Sequence, residues 1–430
     1  MLRFWTLLVL TWTTPFLCVT SYADPTSGSV NEVIQWNKTL LTIVRTPGAQ
    51  PATVHPTRSF AIMHAAVYDA VNSIDATHKP YLVHVEHVSP HASQDAAASA
   101  AAHEILVALY PTFQPTLDQQ YDQALAQIPD GADKTTGIDV GVAVAQAILT
   151  LRSDDGSAAT PIPYVFGNAP GDYQSTPPNF PAQPVFTHWP RVTPFALKRA
   201  SQFRLGPPPA LTSAEYTASF NEVKSLGIVN STTATADQQL IGRFWSGAIQ
   251  NYWNEITQTA VQAHQLTTAQ SARVFALLNL TLADEVIAFY DSKYTYNLWR
   301  PVTAIRAAAT DGNPDTAADP NWLPQPGNTA PDPSYPGAHA TISSGAAFVL
   351  RSVFGNSPFH LVVTSEVLPG VVRTFDSFAG AEQEASLSRI YAGQHFRSDE
   401  NAGERLGPSV ADFVVDNFLT PFDGRDGKEH

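Results

Sequence analysis

"TTAQSARVFALLNLTLADEVIAFYDSKYTYNLWRP", residues 267–301, decides how the chain folds. Ala283, Val286 and Tyr290 follow one another at helical spacing, and Leu278, Leu282, Ile287 and Phe289 fill the adjacent columns. This is the pattern of a helix covered on several faces. Its last two turns become basic, through Lys293 and Arg300. Seven residues separate these cations, which predicts one shared helix face, with Pro301 marking the end. Basic groups at a helix C-terminus complement its dipole and snorkel to water. Directed inward, they require an anion.

Four further helices are expected in the first part of the chain. They lie in "HPTRSFAIMHAAVYDAVNSID" (55–75), "SQDAAASAAAHEILVALY" (93–110), "TLDQQYDQALAQI" (116–128) and "TGIDVGVAVAQAILTLRS" (136–153). His64 and Asp69 of the first read as satisfied core residues. Residues 153–212 are dense in Pro, Gly and Asn, which sustain neither long helices nor central strands. Their aromatics (Tyr164, Phe166, Tyr173, Phe180, Phe186, Trp189) predict an excursion packed onto the body. Helical texture resumes at 212, and the best period-two run is "FHLVVTSEVL" at 359–368. The fold class is mainly α, built from packed helical bundles. The expected organisation is a leader over 1–23, a helical part over 24–152, the excursion over 153–212 and a helical bundle over 213–430, with 24–152 and 213–430 forming one globular unit.

The leader reading rests on Arg3, an apolar run broken by Thr and Pro15, and small residues at Ser21 and Ala23, as in a cleaved signal peptide. Secretion is therefore expected. The single cysteine, Cys18, lies in that leader, so a mature chain has no disulfide and depends on burial for its stability. The formal charge of −14 argues against nucleic acid and anionic membranes as partners, and no segment offers a membrane span. A bound anion needs a local positive pocket.

Two other segments offer parts of one. In "SYPGAHA" (334–340) a turn leads into a small-residue helix, which sets the N–H groups of Gly337 and Ala338 at a helix N-terminus suited to anions. His339 stands beside them, able to move a proton near neutral pH. In "SLSRIYAGQHFRSDEN" (386–401), Arg389 supplies a planar two-pronged clamp, and Asp399 lies one helical turn beyond His395. That carboxylate can accept from one ring nitrogen and leave the other free to attack or to ligate.

Taken together, Lys293, Arg300 and Pro301, then Pro336, Gly337, Ala338 and His339, then Ser388, Arg389, His395 and Asp399 resemble the signature of the vanadium-dependent haloperoxidases and the related type 2 phosphatidic acid phosphatases (the PAP2 superfamily). "FWSGAIQNYWNEI" (244–256) and "MHAAVYDA" (63–70) look like bacterial haloperoxidase-like members. The resemblance implies that Lys293, Arg300, Arg389 and the Ala338 N–H hold the oxygens of vanadate, or of the isosteric phosphate. His395 would then be the vanadium ligand, or the nucleophile of a phosphohistidine, and His339 the acid–base group. Gly337 replaces the serine of the pattern and so removes a hydroxyl donor. Tyr290 and Asp332 fall where members tune a halide pocket, and an acidic Asp332 there would repel halide.

The function expected is a secreted vanadium haloperoxidase using hydrogen peroxide, halide and a small organic acceptor. The alternative is a phosphatase acting through a phosphohistidine. A non-catalytic anion-binding protein would not need two histidines, and no H-E-x-x-H cluster suggests zinc.

Overall fold

The computed structural model describes residues 31–422 apart from 357 and 359. The expected leader, Cys18 included, lies outside the described residues. Among these residues the chain forms helices α1 (Glu32–Arg45), α2 (Pro56–Asp75), α3 (Gln94–Leu109), α4 (Gln114–Ala126), α5 (Ala132–Leu151), α6 (Ala214–Leu226), α7 (Ala236–Phe244), α8 (Ile249–Ala263), α9 (Thr268–Tyr296), α10 (Pro301–Ala307), α11 (Ala338–Phe354), α12 (Phe378–Tyr391) and α13 (Arg397–Asn417). One antiparallel hairpin, β1 (Leu361–Thr364) with β2 (Val372–Phe375), pairs Leu361 with Phe375 and Thr364 with Val372. It occupies part of the run expected to be a strand. No helix among the described residues is long and apolar enough to cross a membrane.

Local chemistry sets the helix starts. Asn31 caps α1 by accepting the Ile34 N–H, Ser93 caps α3 by accepting the Ala96 N–H, and Pro56 opens α2. Thr267 and Gln270 form a reciprocal capping box at the head of α9, which satisfies two amides that the first turn leaves unpaired. From Ser271 to Lys293 almost every residue of α9 is buried, and the helix packs against α2, α11 and α13. The continuous apolar columns of 267–301 follow from contact on several sides. His64, buried on α2, stacks on Phe275 at 4.9 Å and places Nε2 2.9 Å from Asn37 Oδ1.

The excursion packs on the body as expected, and a buried carboxylate anchors it. Asp284, in the middle of α9, accepts the N–H groups of Phe195, Ala196 and Leu197 at 2.6, 2.7 and 2.7 Å. Three amides pointing at one carboxylate explain how an acid survives in a helix core. Burial still outweighs them and raises Asp284 to about 6. Asp69 does the same for the backbone of Tyr81, Leu82 and Val83. Tyr173 and Trp189 are fully buried. Phe180 corrects the expectation for the excursion aromatics, because 61% of its surface is exposed.

Helices α11 and α13 carry opposite walls of the polar site and lie unusually close. A Cβ at Gly407 would sit 2.2 Å from the Thr341 carbonyl oxygen, and one at Gly403 2.6 Å from that of Gly337. Only glycine permits this backbone approach. It brings the first turn of each helix to the same place.

Candidate active site

Lys293 occupies the last turn of α9 and is fully buried. The helix stops at Tyr296 because Asn297 takes the left-handed conformation (φ 50°, ψ 37°), a conformation Asn tolerates at a C-terminus. Arg300 is then the N-cap of α10, and Pro301 is its first residue. The expected single helix face is thereby corrected: Pro301 opens a helix instead of closing one, since a first-turn position needs no N–H. The two cations meet through the turn between the helices.

Their partners also differ from expectation. Lys293 Nζ donates to the carbonyls of Pro333 and Ser334 (3.2 Å for the latter) and lies 3.4 Å from Asp332 Oδ2. Burial pushes this amine down to about 8, with Asp332 opposing the shift. Arg300 donates from Nε to the Asp332 carbonyl at 2.8 Å and from Nη2 to the Asp332 carboxylate. Its Nη1 donates to the Gln394 carbonyl at 2.9 Å and contacts His395 Nε2 at 3.0 Å. Burial alone would raise Asp332, yet Lys293 and Arg300 outweigh it and hold the carboxyl below its ordinary value. The expected halide-facing acid is thus an internal counter-ion to two of the three expected oxyanion ligands.

The third ligand makes no hydrogen bond, and Glu400 is the first charged group that acts on it. Arg389, in the last turn of α12, is 8% exposed. Its Nε and Nη1 are buried without a hydrogen-bond partner. Burial lowers it to about 10, which leaves it charged at neutral pH.

Gly337 caps α11 and Ala338 is the first residue of that helix. The Gly337 N–H, expected to meet an anion, donates instead to the Asp399 carbonyl at 2.9 Å. The Ala338 N–H keeps the helix-head position. The missing serine has a steric cause: a Cβ on residue 337 would fall 2.3 Å from Glu400 Oε1. Glu400 occupies the volume that a serine would need. It is fully buried, its Oε1 has no hydrogen-bond partner, and burial raises it well above the usual carboxyl range.

His395 is oriented as its spacing suggested. Its Nδ1 lies 3.3 Å from Asp399 Oδ2 and 3.4 Å from Ser334 Oγ. Asp399 Oδ2 also accepts from Ser334 Oγ at 2.6 Å and from the Phe396 N–H at 3.0 Å. Because Arg300 can only donate, its contact assigns Nε2 as the bare nitrogen and Nδ1 as the protonated one. Asp399 is therefore placed to orient the ring, the role its spacing suggested. Burial, followed by Arg300 and Lys293, keeps the imidazole neutral by lowering it well below its ordinary value. His339, partly exposed in the first turn of α11, donates from Nε2 to the Trp245 carbonyl at 2.9 Å. Burial and then Arg389 lower it strongly, which leaves a neutral ring with Nδ1 as the base.

Sequence reasoning missed three residues. Ser334 and Glu400 adjoin recognised motif positions, and polarity beside a motif was their only signal. His55 is the N-cap of α2, half-buried within reach of Phe186, Trp189 and Tyr290 (ring centroids 5.2, 6.1 and 6.3 Å away). Burial lowers it to about 3, and Asp332 acts against that shift. The dipeptide His55–Pro56 signals a helix start, not a site.

A buried guanidinium edge without a partner, the head of α11 and the bare Nε2 of His395 together suit a tetrahedral oxyanion. The donors fit vanadate or phosphate alike, while Asp332 stands against either.

Residues 273–424 match the family model for the VCPO second helical-bundle domain. The chain is 25% identical to vanadium chloroperoxidase of Curvularia inaequalis over 517 residues, covering 92% of this chain and 83% of that protein. It superposes on the crystal structure of a bacterial vanadium-dependent iodoperoxidase with a TM-score of 0.74, at 24% identity over 92% of this chain and 96% of the other. For a holo-type bacterial vanadium-dependent chloroperoxidase the TM-score is 0.67, at 14% identity over 90% and 97% of the two chains. By signature and family model, residues 273–424 carry the second helical-bundle domain of the vanadium haloperoxidases, members of the superfamily that includes the PAP2-type phosphatases, and the chain shares their fold.

Proposed function

We propose that the protein is a secreted vanadium-dependent haloperoxidase, in which hydrogen peroxide oxidises halide at a vanadate held by His395 and the oxidised halogen passes to a small organic acceptor. The carrying observation is the Arg389 guanidinium, whose buried Nε and Nη1 have no hydrogen-bond partner, in the same site as two neutral histidines. Arg389 and the Ala338 N–H would hold the oxyanion, joined by Lys293 and Arg300 to the extent that Asp332 releases them. Bound vanadate supplies a Lewis-acidic centre for peroxide activation. His339 Nδ1 accepts the proton that peroxide gives up, and the Asp399 contact keeps His395 in the tautomer whose Nε2 faces inward.

A cavity of about 520 Å³ opens beside Arg389, walled by Pro177, Pro178, Pro181, Pro326 and Pro331 with Thr, Asn, Ser, Ala and Gln between them.

The test is bromide- and peroxide-dependent halogenation of a dye, before and after loading with orthovanadate in phosphate-free buffer, with phosphatase activity assayed in parallel. Vanadate-dependent halogenation is expected. Vanadate-inhibited hydrolysis of phosphate esters without halogenation would move the protein to the phosphatase branch.

A further inference from the structure

The buried Asp332 carboxylate takes bonds that an incoming oxyanion would otherwise receive. It pairs with Arg300 Nη2 through Oδ1 and lies 3.4 Å from Lys293 Nζ through Oδ2, while its own main-chain carbonyl accepts from Arg300 Nε at 2.8 Å. The ammonium has three donors, and Asp332, Pro333 and Ser334 between them account for all of them. Asp332 is also fixed at both ends, since it is buried and its backbone is held by Arg300. A second anion placed against Lys293 and Arg300 must share these donors and meet like charge in a low-dielectric site.

We propose that Asp332 is a built-in competitor for the oxyanion cradle, lowering its affinity for vanadate and phosphate and leaving Arg389 as the first point of capture. The inference rests on the cradle being an oxyanion site. Removing the competing charge while keeping the shape is expected to tighten binding by about tenfold or more, because one charge-assisted hydrogen bond regained is of that order. The opposite result would mean that Asp332 serves to position the two cations for the ligand.

The experiment measures equilibrium binding of inorganic phosphate and of orthovanadate by calorimetry to the full chain, to Asp332→Asn, to Asp332→Ser and to Arg389→Gln, with circular dichroism to confirm folding. The asparagine variant keeps hydrogen bonding and the serine variant leaves space, so a folding defect in one leaves the other informative. Tighter binding in the folded Asp332 variants, with loss in Arg389→Gln, supports the proposal. Unchanged or weaker binding in them, while the wild type binds and Arg389→Gln does not, overturns the competitor role but keeps the oxyanion site. Absence of binding in the wild type and both Asp332 variants overturns both.

Discussion

Restoring the motif serine by Gly337→Ser should destabilise this protein, because Glu400 already fills the place of that side chain. Residue 337 has φ −68° and ψ 118°, which any L-residue adopts, so backbone strain is not the cause. The cost lies in contact: the new Cβ would meet Glu400 Oε1 at 2.3 Å and Cδ at 2.7 Å. Glu400 is fully buried, so it can retreat only by displacing packed neighbours. Overpacking of this kind costs about 1–3 kcal/mol. Urea unfolding of the wild type, Gly337→Ser, Glu400→Ala and the double variant forms a cycle. Its coupling should be about 1–3 kcal/mol, with the serine nearly neutral when residue 400 is alanine. Glu400→Gln should retain the clash, since the amide has the shape of the carboxyl. With its hydroxyl restored, the double variant should also bind phosphate about tenfold more tightly. Additive free energies across the cycle would refute the reasoning.

The other predictions concern separate parts of the molecule. Asp284→Ala leaves three buried amides without an acceptor and should cost about 3–5 kcal/mol, read by urea unfolding together with faster proteolysis within residues 153–212. Glu382 is raised to about 7 from 4.5 by burial and by Glu404, against Arg351. The folded state therefore keeps a proton that the unfolded state releases, and the stability from this group is full below pH 4.5 and lost as pH rises through 7. Glu382→Gln should gain about 1–3 kcal/mol near pH 8.5 and nothing near pH 4, a difference that thermal unfolding at the two pH values will show. His339→Ala should lower turnover by about 10²–10⁴-fold with phosphate and vanadate binding largely intact. His395→Ala should abolish vanadate-dependent activity; equal loss of binding in both variants would contradict the assigned roles.

Much of the fold was legible because helices are local. The stretches expected to be helical before residue 153 became α2 to α5, and the columns of 267–301 became α9, since a 3.6-residue period reports burial directly. The identities of the site residues were legible for a related reason: Arg, His and Asp at short spacing carry their chemistry with them. Partnership was not. Seven residues between Lys293 and Arg300 implied one helix face until Asn297 turned left-handed and ended the helix. Asp332 was expected to face a halide, but a buried carboxylate takes whichever cations folding sets beside it, and these were Lys293 and Arg300. The exchange of serine for Gly337 made sense only once α13 placed Glu400 against it. By itself, then, the sequence determined the helices, the superfamily and the candidate chemical groups. Which groups are already paired, and which one remains to meet an anion, depends on contacts between residues far apart in the chain, and only the tertiary structure decided that.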